Sequence, residues 1–339
     1  AIGKEVLVDG GIRSRNPQEL LHLYVNFVLL SDSFKQPGRK APDEISSAIS
    51  RMASNLKSII HGDGKLPLFN GAGIQSHEDI YSALLKTGQD DINLNDLEQS
   101  GFSRIARGKS LVLMDVGPPA ELDMSAAGHS GTHAFEMSSG QERLIVNCGD
   151  ASFIADETGS GLMTGSRGSA AHSTLVINNK NSSEIREDGL IGCGVTKVTS
   201  QRFEQDGHIL SETEHDGYVL PFEYLHKRLI YMSDTGESVR GEDIIEHQKM
   251  SENGDQVSFD VRFHLHPDVS VAQSKSGNIL YLGLAGGEIW QFRYRGAALA
   301  LEDSIYFGEA GKVSASKQIV LSGKTNGAIT TILWSLRLE

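Results

Sequence analysis

The hydrophobic period of this chain changes once, near residue 100, and that change constrains the fold more than any other feature. Before it, Ile45, Ile49, Met52, Leu56 and Ile59 recur at steps of 4, 3, 4 and 3, one face of an amphipathic helix opening on Asp43 and Glu44 after Pro42. A helix from Pro17 to about Leu30, with Leu20, Leu21, Tyr24, Phe27 and Val28 inward, precedes it, and a third from about His77 to Lys86 follows. Between the last two lies HGDGKLPLFNGAG, residues 61–73, whose four glycines disfavour helix and let backbone approach a neighbour closely. From Phe102 onward the period is 2, in runs such as 109–116, 133–137, 143–147 and 174–177 broken by Gly, Ser, Asn and Asp. HAFEM and RLIVN around Ser138-Ser139-Gly140 read as an antiparallel hairpin, and Val257, Phe259, Val261, Phe263 and Leu265 alternate with polar neighbours. Further strands are expected at 279–284, 289–294, 304–307, 318–321 and 330–336. Many short strands without helical periodicity between them predict an antiparallel sandwich rather than βαβ units. The expected architecture is α+β and multidomain: a helical segment over 1–100 and a β-sandwich over 101–339.

Charge narrows the partners. With 31 Lys and Arg against 44 Asp and Glu the net charge is −13, the wrong sign for a general nucleic-acid binder or a polybasic membrane-surface protein. Cys148 and Cys193 are too few for a disulfide framework and have no zinc-finger spacing. No apolar run reaches the ~20 residues of a membrane span, and no tripartite leader opens the chain. Folded-looking sequence directly after Ala1 is expected of a processed chain or of the tail of a longer one.

The histidines carry the chemistry. His129 and His133 flank Gly131 in a loop entering a strand; Asn147 lies in IVNCGD after the next strand, and His172 stands at the mouth of another. Imidazoles on loop ends beside a sheet serve as metal ligands or proton-transfer groups, or more commonly bond a backbone carbonyl. His264 and His266, two apart on a strand with Asp260 and Arg262, have a spacing that can hold a metal, although a solvated polar face is the commoner meaning. His215-Asp216-Gly217-Tyr218 sets an imidazole, a carboxylate and a phenol around a turn. Gly159, Gly161, Gly165 and Gly168 beside Arg167 lack the lysine and the strand-to-helix context of a phosphate loop, and no GxSxG elbow occurs.

In order, AFEMSSGQERLIVNCGD, SRGSAAHSTLVINN, HDGYVLPFEYLHKRLIYMSDTGESVRGED, VRFHLHPDV, LALEDSIYFG and QIVLSG resemble the heparinase II/III-like proteins, and upstream VLVDGGIRSRNPQELL and HGDGKLPLFNG resemble the closing part of that family's helical domain. The resemblance implies an (α/α) toroid followed by an antiparallel sandwich, with β-elimination on a uronic-acid glycan at the bacterial envelope or periplasm. It places His129 and His172 in catalysis, with His215 and Tyr218 behind them, and Arg167, Asn147, Arg13 and Asn70 on an acidic polysaccharide. It also implies a zinc ion on His129, His172 and the residue at Asn147.

Several positions depart from that pattern. Asn147 stands where the family has an aspartate, Ala127 where many lyases have a catalytic histidine, and Ser14 and Glu19 where an acid and a tyrosine are common, with Tyr24 or His22 as substitutes. A neutral amide is a poor zinc ligand, so either the site is weakened, another ligand such as His133 steps in, or no metal binds. A full toroid needs on the order of 200–300 residues at ~1.5 Å rise per residue, so the chain is expected to be the C-terminal part of a longer protein, whose further helices could supply the base. The negative net charge disfavours heavily sulfated glycans unless Arg13, Arg15, Lys65, Arg104 and Arg167 gather in the cleft. The expected function is a polysaccharide lyase, and the alternative is a noncatalytic carbohydrate-binding or cell-envelope protein on the same fold.

Overall fold

A computed structural model describes residues 2–34, 40–73, 80, 82, 84, 96–154, 159–248, 256–309 and 312–339. Helix α1, Pro17–Ser33, begins where Asn16 Oδ1 accepts hydrogen bonds from the Gln18 and Glu19 amides and Pro17 fills the first helical position. Helix α2, Asp43–Ile59, carries acids in its first turn and Lys57 in its last, and buries the residues spaced by 4, 3, 4 and 3. Of the third expected helix, only residues 80, 82 and 84 are among the described residues.

Two antiparallel sheets follow. Sheet I contains β1 (Asp96–Leu97), β2 (Phe102–Arg107), β3 (Ser110–Asp115), β4 (Phe135–Ser139), β5 (Glu142–Val146), β6 (Leu175–Ile177), β11 (Ser258–Leu265), β15 (Ala298–Glu309) and β16 (Lys312–Lys324). Their order is β1-β2-β3-β4-β5-β11-β16-β15, with β6 also on β11. Sheet II contains β7 (Val198–Gln205), β8 (His208–His215), β9 (Tyr224–Met232), β10 (Ser238–His247), β12 (Ser270–Gln273), β13 (Ile279–Gly283), β14 (Ile289–Arg295) and β17 (Ile329–Leu338), in the order β12-β13-β14-β17-β10-β9-β8-β7. The expected hairpin is present as β4 and β5, turning at Gly140 in the left-handed region. No described helix is long and apolar enough to cross a membrane.

Strand β3 shows how the layers stack. All six of its residues are buried, because Leu111 and Leu113 face the helices while Val112 and Met114 face sheet II. Where both faces of a strand are covered, alternation gives way to a continuous apolar run. Leu111, Leu113, Phe102 and Ala134 thus share one core with α1 and α2, and the opposite face of sheet I shares a larger core with Ile230, Val239, Trp290 and Trp334 of sheet II. The glycine-rich segment 61–73 makes the close approaches its composition implies: a Cβ on Gly62 would lie 1.7 Å from the Gly140 carbonyl oxygen, and one on Gly71 2.3 Å from that of Ala127. Helix α3, Gly159–Arg167, forms where the sequence shows only a run of glycines.

Gly241 on β10 stands opposite Trp334 on β17, and a Cβ there would sit 2.0 Å from the indole Cζ2. The indole cannot swing aside, because its Nε1–H donates to Asp243 Oδ2 at 2.9 Å. Gly241→Ala is expected to lower stability by about 1–3 kcal/mol through overpacking. Urea denaturation reads this directly, and an unchanged midpoint would mean that the indole has room to move.

Candidate functional site

Loops at one end of the sandwich bring His129 and His172 together. Nδ1 of His129 lies 3.1 Å from Nε2 of His172, and both rings are buried. His172 Nδ1 is 2.7 Å from the Gly168 carbonyl and must donate to it, which leaves Nε2 as acceptor and makes His129 Nδ1 the donor. His129 Nε2 is then a buried lone pair without a partner. Ser130, Ser169 and Ser182 tie the surrounding loops together by hydroxyl hydrogen bonds of 3.0–3.4 Å. Burial drives both imidazoles toward the neutral form, aided at His129 by His172 and Arg167.

Asn147 does not join this pair through any hydrogen bond. Its Nδ2 donates to Glu136 Oε1 at 3.1 Å, and its Oδ1 accepts from the Ser173 amide at 2.9 Å. Glu136, fully buried on β4, also accepts from the Leu68 amide and from Arg143 Nη1, while Arg143 forks onto Asp63. His61 Nε2 lies 3.2 Å from Glu136 Oε2. Burial alone would raise the Glu136 pKa, but His61 and Arg143 hold it below its ordinary value. This carboxylate clamps segment 61–73 to the first hairpin, and it was not anticipated from the sequence.

A second cluster was also missed. His215 on β8 and His226 on β9 are cross-strand partners, with His215 Nε2 3.1 Å from His226 Nδ1. The Gly217 amide donates to His215 Nδ1, so the proton sits on His215 Nε2, and His226 Nε2–H donates to Asp243 Oδ1 at 2.8 Å. Arg228 Nε donates to the same oxygen, and its Nη1 reaches the His133 and Ser173 carbonyls. Its guanidinium lies over the Phe135 ring, which stacks on Trp334. His133 packs edge-on against His215 with 4.5 Å between centroids.

The remaining expected residues are dispersed. Tyr218 is sealed, donating its hydroxyl to the Leu175 carbonyl at 2.9 Å, and burial pushes its pKa up, so it is a core phenol rather than a solvent-facing base. His215 lies deep in the second cluster and not beside His129. Arg167 spends its guanidinium on the Gly128 and Ser125 carbonyls, and Arg13 pairs with Glu121 and Asp123 at the surface. Asn70 is buried against Asp115 and the Arg15 carbonyl, with Arg15 in turn on Asp115. The solvated face expected for His264 is corrected: β11 is central in sheet I, and this ring is buried, with Nε2 on the Ala170 carbonyl and Nδ1 on Ser304.

Zinc at His129, His172 and Asn147 meets a poor donor set. Two imidazoles hydrogen-bond each other, and the third group is a neutral amide whose oxygen already accepts from Ser173. Three strong donors are the minimum for such a site.

The family model for the heparinase II/III-like C-terminal region matches residues 90–335. FtsZ-localized protein C of Caulobacter vibrioides (strain NA1000 / CB15N) is 27% identical over 354 residues, covering 98% of this chain and 58% of that protein. The crystal structure of heparan sulfate lyase HepC from Pedobacter heparinus superposes with a TM-score of 0.79 at 16% identity, over 99% of this chain and 54% of that one. A heparinase III, the BT4657 gene product, does so with a TM-score of 0.79 at 15% identity, over 100% and 54%. At such identities the two structures show the shared fold alone. The chain therefore spans just over half the length of these relatives. With the family match covering both sheets and the sandwich recurring in the solved structures, the chain belongs to the heparinase II/III-like family.

Proposed function

We propose that this chain is a noncatalytic member of the heparinase II/III-like family, a carbohydrate-binding or cell-envelope protein that keeps the fold without β-elimination. One observation carries the reading. The groups that the resemblance assigns to acid–base chemistry are closed off from solvent: His129 is 2% exposed, His172 1%, His215 1% and Tyr218 0%. Elimination requires a base within about 2.6–3.2 Å of the C5 proton and donors on the uronate carboxylate, all facing the glycan. Here the phenol is committed to a carbonyl, and Asn147 to Glu136 and Ser173. Ala127 supplies no imidazole, and a net charge of −13 repels a polyanion. The relative from Caulobacter is named for its localisation with FtsZ, which favours an assembly role.

The second reading is a lyase completed by toroid helices that precede this chain, with α1 and α2 as their closing part. Family membership favours it, as does the unpartnered Nε2 of His129, the kind of nitrogen a substrate proton would need. In the first reading, full-length protein gives no rise in the ultraviolet absorbance of unsaturated uronate on any of a panel of uronic-acid glycans, and a fluorescent fusion follows FtsZ. A rise that His172→Ala abolishes, with folding intact, would replace this proposal by the lyase.

A further inference from the structure

We propose that His133, His215 and His226 form a buried transition-metal site, with zinc as the cation. Their donor nitrogens lie within 4.8 Å of one another, and His215 Nε2 and His226 Nδ1 are 3.1 Å apart. Ligands at 2.0–2.1 Å from a tetrahedral zinc stand roughly 3.3 Å from each other, so closing the trio takes shifts on the order of 1 Å. Imidazole nitrogens suit zinc and its borderline neighbours and do not suit calcium or magnesium.

His133 supplies the independent argument. Neither of its ring nitrogens has a partner, its exposure is 0%, and its backbone is held at φ +65°. A residue with a Cβ is uncommon in that region, and a polar group left unsatisfied in an interior destabilises the fold. The backbone is pinned there from both sides, since its amide donates to the Asp115 carbonyl and its own carbonyl accepts from Arg228. The ring is thus fixed against His215 and His226 with its lone pair unused. A cation between the three rings gives that lone pair a bond.

The surrounding groups complete such a site. His226 Nε2–H on Asp243 is the carboxylate–histidine contact that orients a metal-bound imidazole and sets its tautomer. Arg228 offsets the Asp243 charge, and its Nη2 is a buried donor without a partner, able to hold a water or hydroxide in the fourth ligand position. Loading releases no proton: the one N–H of His215 moves from Nε2 to Nδ1, so that Nε2 binds the cation as a neutral imidazole, and the Gly217 amide gives up its bond to Nδ1. The site is separate from His129 and His172 and independent of whether any glycan is cleaved.

Full-length protein carrying no polyhistidine tag and refolded with zinc is expected to hold about one zinc per chain by elemental analysis. Its cobalt form should show the visible d–d bands of a nitrogen-ligated tetrahedral ion. His133→Leu should lose both signals, whereas the paired variant His129→Ala, His172→Ala should keep them. Wild-type protein that holds no metal after refolding with zinc or cobalt overturns the proposal whatever the variants do. So does metal that survives His133→Leu or disappears with His129 and His172.

Discussion

Lowering the pH from 7 to 5 is expected to unfold this protein, well above the range in which carboxylate protonation alone denatures a fold. Four buried imidazoles outside the trio drive this: His61, His129, His172 and His264. Burial is the largest cause at each and favours the neutral ring, joined by Arg143 at His61 and by His172 and Arg167 at His129. At His264 it outweighs the Ala170 carbonyl and pushes the pKa down to about 3. Unfolded histidine titrates near 6.5, so below that pH the unfolded state binds more protons than the fold. The stabilisation is therefore complete above about 6.5 and is lost as the pH falls toward each folded value, at up to about 1.4 kcal/mol per pH unit for each ring. Each ring that stays neutral in the fold contributes up to that slope, so several together erode a typical stability of about 5–15 kcal/mol as the pH falls. The trio, buried and neutral as well, acts in the same direction. Melting temperature measured from pH 7.5 to 4.5 should drop steeply once the pH passes 6.5. A flat profile down to pH 4.5 would show that these rings already carry protons or water inside the fold.

The sequence discloses the fold where one face of an element is uniformly apolar, and fails where polar groups face inward. Helix α2 and strand β11 obey their periods and were placed within a residue or two. Strands β8 and β9 escaped notice because their inward positions hold Ser211, Thr213, His215, His226 and Arg228, so the alternation of burial is not an alternation of hydrophobicity. Helix α3 was hidden by glycines that carry no pattern. The proximity of His129 and His172 was legible from the family resemblance. Glu136 and Asp243 were not, since nothing beside a carboxylate in sequence marks it as buried. The partners of Asp243 lie 15, 17 and 91 residues away and meet it only once the strands pair. Tyr218 misled for the converse reason: an Asp-Gly pair signals a surface turn, but here only Asp216 is part-exposed, accepting from the Thr196 and Lys197 amides, while Gly217 and the following ring are buried.

Asp243→Asn is the single substitution expected to cost most. Oδ1 accepts from His226 Nε2 and Arg228 Nε, each at 2.8 Å, and Oδ2 accepts from the Trp334 indole at 2.9 Å, all of them buried. An amide in that place removes the counter-charge of a fully buried guanidinium and points an N–H at one of these three donors. Breaking a buried pair from one side costs about 3–5 kcal/mol, a fall in melting temperature on the order of 10 °C for a domain of this size. The double variant Asp243→Leu, Arg228→Met should recover part of the loss by removing both charges. It cannot recover all of it, because Arg228 also joins sheet II to the His133 and Ser173 carbonyls. The pH dependence separates this carboxylate from the histidines. Burial alone would raise the Asp243 pKa, but Arg228 and His226 outweigh it and hold the value well below the ordinary range. Its stabilisation is therefore present above the unfolded value near 3.9 and is lost only as the pH falls below that. Asp243→Asn should accordingly lower stability by a similar amount at pH 7.5 and pH 6.5 and leave the steep fall between 6.5 and 5 in place. Urea titrations at the two pH values test this, and a loss below 1 kcal/mol at both would mean that water or another acceptor reaches Arg228 inside the sandwich.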